Sequence, residues 1–469
     1  MKIIRGLSIC FCAGFSLVVA LVAFLLLQLE RLRKRRFRLP EGRKSIRIAY
    51  VLTELSGGRP GGGATHKAGF CKGLLAGGHL PTVMVCQDVP GLTSVVKDYH
   101  ILHAPVLPNV FPMTLGILAN NIMFARQAYR VLKRSGTDVV CQRHNQMNYS
   151  GALISRLLRV PFVLEYNSPA NWKAAVADRM NPVLGQLSRF IERINVAAAD
   201  RIMVVSDVLK QQLVQRGIPP AKVVVNPNGA DAEMFHPGVD PLPVRRRLQL
   251  DGKIVVGFAG HHNSNNTWHG TKYLAQAVRK VAAQRKDIQF LFIGDQGVVD
   301  LVTPIVEAEG TSSTVTFACS IPYPGMPGHY AACDILVSPH VHMADGSTFF
   351  GSPIKIFEYM AMGRPIIASG IGQLAELLKD HENALLTNPG DVDGIADAIL
   401  VLAADARLRQ RLGAASRATC LGRCTWKHNA ERFIRAYVEA SQEGGSEYSS
   451  SDAGPSSNVM QNLHKADGK

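Results

Sequence analysis

At 469 residues, the chain is too long for one ordinary hydrophobic core and comfortable for two domains. Its 47% hydrophobic and 19% charged content excludes a disordered chain, and nine cysteines without a zinc-type Cys-x-x-Cys pair argue for reduced thiols rather than a disulfide framework. Half of the formal +16 charge is local: residues 1–44 carry ten Lys and Arg against Glu30 and Glu41, a net +8, so a membrane-proximal segment is expected and a nucleic-acid partner is not.

Gly6 to Leu29 is a run of 24 residues without a charge, longer than the ~20 needed to cross a bilayer core. It ends in RLRKRRFR, Arg31 to Arg38, rather than in a small-residue cleavage site, so it reads as a retained single-pass anchor within segment 1–44. Six Lys and Arg follow the span, against Lys2 and Arg5 before it, which places the rest of the chain on the cytoplasmic face. A monotopic anchor and a Golgi-type arrangement with a lumenal catalytic domain are the alternatives. Two sequons, at Asn148 and Asn265, fall in segments assigned below to a cleft, where a glycan would obstruct it; this favours the cytoplasmic side.

From Ser45 the pattern becomes β-loop-α-β. SIRIAYVL, a strand, is followed by a glycine-rich loop, a helix over 65–76 and the strand TVMVC. Further strands are expected at 138–142, 161–166, 201–206 and 222–227, with helices over 117–133 and 183–199 between them. A second series begins at KIVVGFAG, 253–260, and continues at 288–294, 314–319, 334–339 and 365–369. Two such runs imply an α/β chain of two Rossmann-like, doubly wound parallel-sheet domains facing across a cleft. The expected bounds are 45–235 and 236–440, joined near PNGADAEMFHPG, with a last helix over 429–440 that packs back on the core and a disordered polar tail over 441–469.

The stretch GSPIKIFEYMAMG carries the clearest chemistry. Ser352 suits an N-cap, Pro353 a first helical position, and Gly363 a left-handed cap. Gly351 and Ser352 then stand at a helix N-terminus, where free backbone amides accept a phosphate. Glu358, a turn further on, offers two acceptor oxygens to a vicinal diol, such as the ribose of a nucleotide. Lys355 lies three residues earlier, on the same face; an exposed Lys355–Glu358 ion pair is the plainer alternative.

GSPIKIFEYMAMGRPIIAS resembles the nucleotide-binding segment of family 4 retaining glycosyltransferases of the GT-B fold. Other segments resemble the same family in the same order: GGGATH and GGHLPTVMV, then VVSDVLKQQLVQRGIPPAKVVVNPNGAD, then VVGFAG and WHG. The resemblance spans residues 45–440 and implies a nucleotide-diphospho-sugar donor; no D-x-D motif lies where a metal-dependent transferase would need it, so neither a divalent metal nor a cofactor is expected. Glu358 would bind the ribose, Gly351, Ser352 and Lys355 the diphosphate side, and Gly62 and Gly63 would close from the first domain. Where the family carries Arg and Lys against the diphosphate, this chain has His261 and His269, which would serve when protonated. Where the family has another Glu, eight residues before Glu358, this chain has Phe350, so the sugar contact falls to a backbone amide or Asp345. His144, after a strand, matches a family His beside the transferring sugar and is the catalytic candidate. Arg143, Glu165 and Asn167 end strands and are expected to face the acceptor, while His66 and His79 read as helix-packing residues.

These readings give a membrane-anchored, metal-independent retaining glycosyltransferase of the hexosyl type, acting on a lipid-linked or glycan acceptor. A nucleotide-sugar 2-epimerase on the same fold and a non-catalytic nucleotide-sugar-binding relative are the rivals.

Overall fold

The computed structural model describes residues 45–53, 61–102, 113–169, 182–262 and 267–443, together with Gly14, Leu17, Val18 and Leu21. The expected anchor, apart from those four residues, the sequon at Asn265 and the tail from 444 lie outside the described residues. Among the described residues no helix is long and apolar enough to cross a membrane.

The first sheet has strands β1 (Arg47–Leu52), β2 (Leu80–Val85), β3 (Tyr99–Ile101), β4 (Val139–Arg143), β5 (Phe162–Tyr166), β6 (Arg201–Val204) and β7 (Val223–Val225). Their order is β3-β2-β1-β4-β5-β6-β7, every pair parallel. The central strands are continuous apolar runs because helices cover both faces. These helices are α1 (Gly62–Ala76), α2 (Met113–Ser135), α3 (Ser150–Leu158), α4 (Pro182–Ala198) and α5 (Asp207–Gln215). The strand order reverses between β1 and β4, and that crevice at the carboxyl ends is where a doubly wound sheet takes its ligand.

The second sheet has strands β8 (Ile254–Ala259), β9 (Ile288–Gly294), β10 (Val315–Cys319), β11 (Ile335–Ser338), β12 (Ile366–Ser369) and β13 (Leu385–Thr387), in the parallel order β10-β9-β8-β11-β12-β13. Its helices are α6 (Leu242–Arg247), α7 (Thr271–Gln284), α8 (Gln296–Ala308), α9 (Met326–Ala331), α10 (Ile354–Ala361), α11 (Gly372–Leu377), α12 (Val392–Ala404), α13 (Ala406–Arg423) and α14 (Trp426–Glu443). Here the switch point lies between β8 and β11.

The chain crosses between domains twice. After β7 it passes through Asn226–Asp231 into the second domain. At its end α14 returns and lies on α1: Phe433 meets Phe70 edge-on at 5.1 Å, and Ala430, Phe433, Ala436 and Tyr437 join the first domain's core. Gly69 makes this approach possible, since a Cβ there would lie 2.1 Å from the Trp426 ring. Burying rings such as those of Phe433 and Tyr437 contributes about 1.5–3 kcal/mol each, which ties the two domains' ends together. Polar contacts join the domains near the cleft: Ser206 Oγ, the N-cap of α5, donates to the Phe350 carbonyl at 2.6 Å, and the Gln373 amide donates to the Val205 carbonyl.

Candidate active site

The donor-side element is α10. Its N-cap is Pro353, in an extended conformation, so the helix starts one residue later than the Ser352 cap expected from sequence. Ser352 is engaged elsewhere: its Oγ accepts from Asn228 N at 3.1 Å and its carbonyl from Asn228 Nδ2 at 2.6 Å. The helix stops where Gly363, at φ +63°, takes the left-handed conformation and its amide bonds back to the Met360 carbonyl at 3.0 Å. All eight residues of α10 are buried.

Burial decides between the two readings of Glu358. No exposed Lys355–Glu358 pair forms. Lys355 is 9% exposed; its Nζ donates to the Ala259 carbonyl at 3.0 Å and stands 4.5 Å above the Phe258 ring. Glu358 is 4% exposed; Oε1 accepts from Tyr323 OH at 2.9 Å and Oε2 from Tyr330 OH at 3.0 Å. Each oxygen keeps a second lone pair, so the carboxylate can accept from a diol as well as from the tyrosines. Burial pushes the Glu358 carboxyl up to about 7, despite the two tyrosine hydroxyls and the Lys355 charge, which pull it back. Burial likewise lowers Lys355 to about 7, partly offset by Glu358. A buried acid and a buried base, neither bound to a full counter-charge, make a site that gains from an incoming ligand.

The N-terminus of α1 approaches that of α10 from the first domain. A Cβ on Gly62 would lie 3.8 Å from the Ile354 side chain, whereas one on Gly63 would meet open space. Gly61, at φ +153° and ψ −178°, is the N-cap and adopts a conformation that only glycine takes readily. Two helix N-termini, each with unpaired first-turn amides and a partial positive charge, thus converge from opposite domains. Backbone alone thus favours negative charge between them.

The two expected loop cations behave differently. His261, exposed at the rim, has Nδ1 3.3 Å from Asp295 Oδ2, and Asp295 also caps α8. His269 is half-buried, with Nδ1 3.3 Å from Nε2 of buried His340, whose own Nδ1 lies 3.0 Å from Ser338 Oγ. Burial, then the nearby Lys355 charge, hold both His269 and His340 well below the ordinary histidine range. This direction disfavours the protonated His269 expected against a diphosphate, and Lys355 is a cation at the end of β8. Asp345 is turned toward Ser347, accepting from its amide at 2.9 Å.

In the first domain, Arg143, Glu165 and Asn167 do come together, but they bind one another rather than face an acceptor. Glu165 Oε1 takes the Arg143 guanidinium and the Asn167 amide, with His66 Nε2 at 2.8 Å, and Oε2 accepts from Tyr50 OH at 2.7 Å. Burial alone would raise the Glu165 carboxyl; the charges of His66 and Arg143 and the hydrogen bonds of His66 and Tyr50 overcome it and hold it far below the usual range. The expectation that Glu165 and Arg143 are free for an acceptor is corrected, because each neutralises the other. His144 follows β4. Its ring stacks on Tyr166 at 5.0 Å, with Nε2 3.6 Å from Glu192 Oε2, and among the described residues neither buried ring nitrogen has a hydrogen-bond partner. It is the polar group at this strand end with capacity to spare.

At the β1/β4 switch point lies a narrow recess with room for about one water, walled by Ile117 and Phe124 and edged by Thr53, Asn120, Asn121 and Asn148. Thr53 Oγ1 and Asn148 Nδ2 are buried there without a partner among the described residues. Asn148 is fully buried, its Oδ1 accepting from Ser150 Oγ at 2.7 Å, so a glycan on this sequon has no room in the folded chain.

Sequence reasoning missed Tyr323, Tyr330, Asn228 and the reach of His66. Tyr323, in a 3-10 turn, and Tyr330, on a short helix, lie 35 and 28 residues before Glu358, a separation that carries no local signal. The Pro-Asn-Gly turn was legible as a boundary, but its grip on Ser352 was not.

Two facing parallel α/β domains, with helix N-termini converging beside a buried carboxylate, define a GT-B type transferase architecture. Comparison with known proteins gives the same class for both halves. The Glycosyltransferase Family 4 profile matches residues 60–234, and the Glycosyl transferases group 1 profile matches residues 253–405. The chain belongs to the family 4 glycosyltransferases. The D-inositol 3-phosphate glycosyltransferase of Stackebrandtia nassauensis is 30% identical over 233 residues, 48% of this chain and 50% of that protein, so the chain spans half of that relative. The D-inositol 3-phosphate glycosyltransferase of Kribbella flavida is 28% identical over 340 residues, 68% of this chain and 76% of that protein. The crystal structure of Anabaena HepE in complex with UDP has the same fold, with a TM-score of 0.61 at 18% identity, covering 84% of this chain and all of that one.

Proposed function

We propose that this glycosyltransferase moves a sugar, with retention of configuration, from a nucleotide-diphospho-sugar to a hydroxyl-bearing acceptor. The observation that carries the reading is the convergence of the α1 and α10 N-termini, marked by Gly62 and Ile354, one helical turn from Glu358. A diphosphate fits between the helix ends and Lys355; the ribose diol reaches the free lone pairs of Glu358. HepE, bound to UDP in its crystal structure, supports a donor of this type.

In the mechanism that follows, the departing diphosphate gathers charge, and backbone amides with the Lys355 ammonium stabilise it without reorganising. His144, at the carboxyl end of β4, orients the transferring sugar through its spare ring nitrogens. The acceptor hydroxyl then attacks from the face that the diphosphate leaves. The charge stabilisation comes from the protein, so we infer a metal-independent enzyme, and a chelator should leave its rate unchanged.

We infer that the acceptor approaches the cleft past the mouth of the recess, whose neutral hydroxyl and amide lining suits an uncharged polyol or sugar better than the inositol phosphate named for the relatives. The apolar run before a basic cluster supports a single-pass anchor that holds the cleft at the cytoplasmic membrane face, with a lipid-linked or glycan acceptor. The test is transfer from labelled UDP-, GDP- and ADP-sugars by the full chain, with lipid extracts and soluble glycans offered separately and the product anomer read by NMR. One donor should give a retained glycoside. Conversion of donor without acceptor would assign an epimerase instead. Binding without turnover would assign a non-catalytic relative, for which Phe350, in place of the family's Glu, is the specific argument.

A further inference from the structure

One buried residue links the acceptor-side charge cluster to the donor loop. Asn228, 7% exposed, sits in the inter-domain turn after β7. Its Nδ2 donates to the Ser352 carbonyl at 2.6 Å and its backbone amide to Ser352 Oγ at 3.1 Å. A carbonyl only accepts, so these bonds fix the orientation of the amide and turn Oδ1 toward His66, whose Nδ1 lies 2.6 Å away. His66 Nδ1 is therefore the donor. The ring's other nitrogen lies 2.8 Å from Glu165 Oε1, and the Trp426 ring from α14 packs edge-on at 5.5 Å. His66 is thus held from both ends, four residues into the helix whose N-terminus faces the donor loop.

We propose that Asn228 and His66 form a clasp that positions the phosphate-binding loop, with Asn228 as the positioning residue and the His66 Nδ1–H as its anchor. The inference rests on the donor-binding reading above. Ser352 has no capping role in α10, and its backbone is half-buried between the domains. The pair of bonds from Asn228 holds the Ser352 side chain and the Ser352–Pro353 peptide, while the Ser206 bond to the Phe350 carbonyl holds the peptide that carries the Gly351 amide. The clasp sets the distance between the two helix N-termini, because one side of it belongs to α1 and the other to the loop before α10.

Two isosteric substitutions separate this role from packing. Asparagine at position 66 keeps a donor where Nδ1 stands and loses the Glu165 contact. Glutamine keeps a donor where Nε2 stands and loses the Asn228 bond. The experiment is titration of UDP, GDP and ADP into the full-length wild type, His66→Asn, His66→Gln and Asn228→Ala, with hydrogen exchange of residues 350–356 in the ligand-free proteins. His66→Asn should bind within a fewfold of wild type. His66→Gln should bind about tenfold more weakly, as loss of one hydrogen bond of about 1.4 kcal/mol implies, and Asn228→Ala, which loses two, at least as weakly, with faster exchange in the loop. The donor KM should rise while kcat changes less. Equal binding by the Asn and Gln variants, with exchange unchanged, would overturn the clasp. Absence of nucleotide binding by wild type would instead overturn the donor reading, and the clasp's role with it.

Discussion

Glu165 and Glu358 are both buried carboxylates at the mouths of parallel sheets, and they do opposite things. Glu165 receives a guanidinium, an imidazole, an amide and a phenol, and is held ionised. Glu358 receives two neutral phenols and is pushed up to about 7. Partners with full charge make a carboxylate structural, because its demand is already met. Partners without charge leave it with an unmet demand that a ligand's hydroxyls can fill. The comparison teaches that burial does not identify a functional carboxylate; the charge state of its partners does.

The largest effect should come from breaking the satisfied one. Glu165→Gln leaves the Arg143 and His66 cluster without its counter-charge and should cost about 3–5 kcal/mol of stability, read by chemical denaturation. Its folded pKa is depressed, so its contribution is full above the unfolded value near 4.5 and is lost as pH falls from there toward the folded value. Wild type should therefore lose stability on the acid side, and the variant should lose less.

Glu358→Gln should weaken nucleotide binding about a hundredfold, near 2.7 kcal/mol, while leaving the fold intact. Its effect on the ligand-free protein has the opposite sign. A raised carboxyl contributes stability below about 4.5 that is lost as pH rises to about 7. At pH 8 the Gln variant should thus be more stable than wild type, by on the order of 1–3 kcal/mol. A loss of stability there would place Glu358 in the same class as Glu165.

Donor binding should depend on pH with a maximum near 7. Ionisation of Glu358 strengthens it as pH rises through about 7, and loss of the Lys355 proton weakens it over the same range. In Glu358→Gln the acid limb should vanish and the alkaline limb remain, as read by donor KM across pH 5 to 9. The smallest effect is expected at His269: His269→Gln should change donor affinity less than threefold, about 0.6 kcal/mol, since its surroundings disfavour the charged ring.

Much of the fold was legible because buried parallel strands are continuous apolar runs; β9, expected over 288–294, has those bounds. The three-residue edge strands β3 and β13 were missed, being too short for any pattern. Within the site, GSP marked the start of the helix to within one residue, and Gly363 ended it as its conformational freedom allows. The partners of each charge were not legible. Lys355 stands three residues from Glu358 yet bonds to Ala259, and Arg143 bonds to Glu165 across neighbouring strands. Spacing along a helix says which side chains share a face; it does not say which one the rest of the chain has already engaged.

The most direct test is calorimetric titration of UDP, GDP and ADP into full-length wild type, Glu358→Gln and Glu165→Gln at pH 7.5. The account predicts that one nucleotide binds wild type, that Glu358→Gln loses about a hundredfold in affinity without loss of fold, and that any Glu165→Gln that remains folded binds as wild type. Equal affinity in wild type and Glu358→Gln would contradict it, and would make Glu358 a second structural carboxylate.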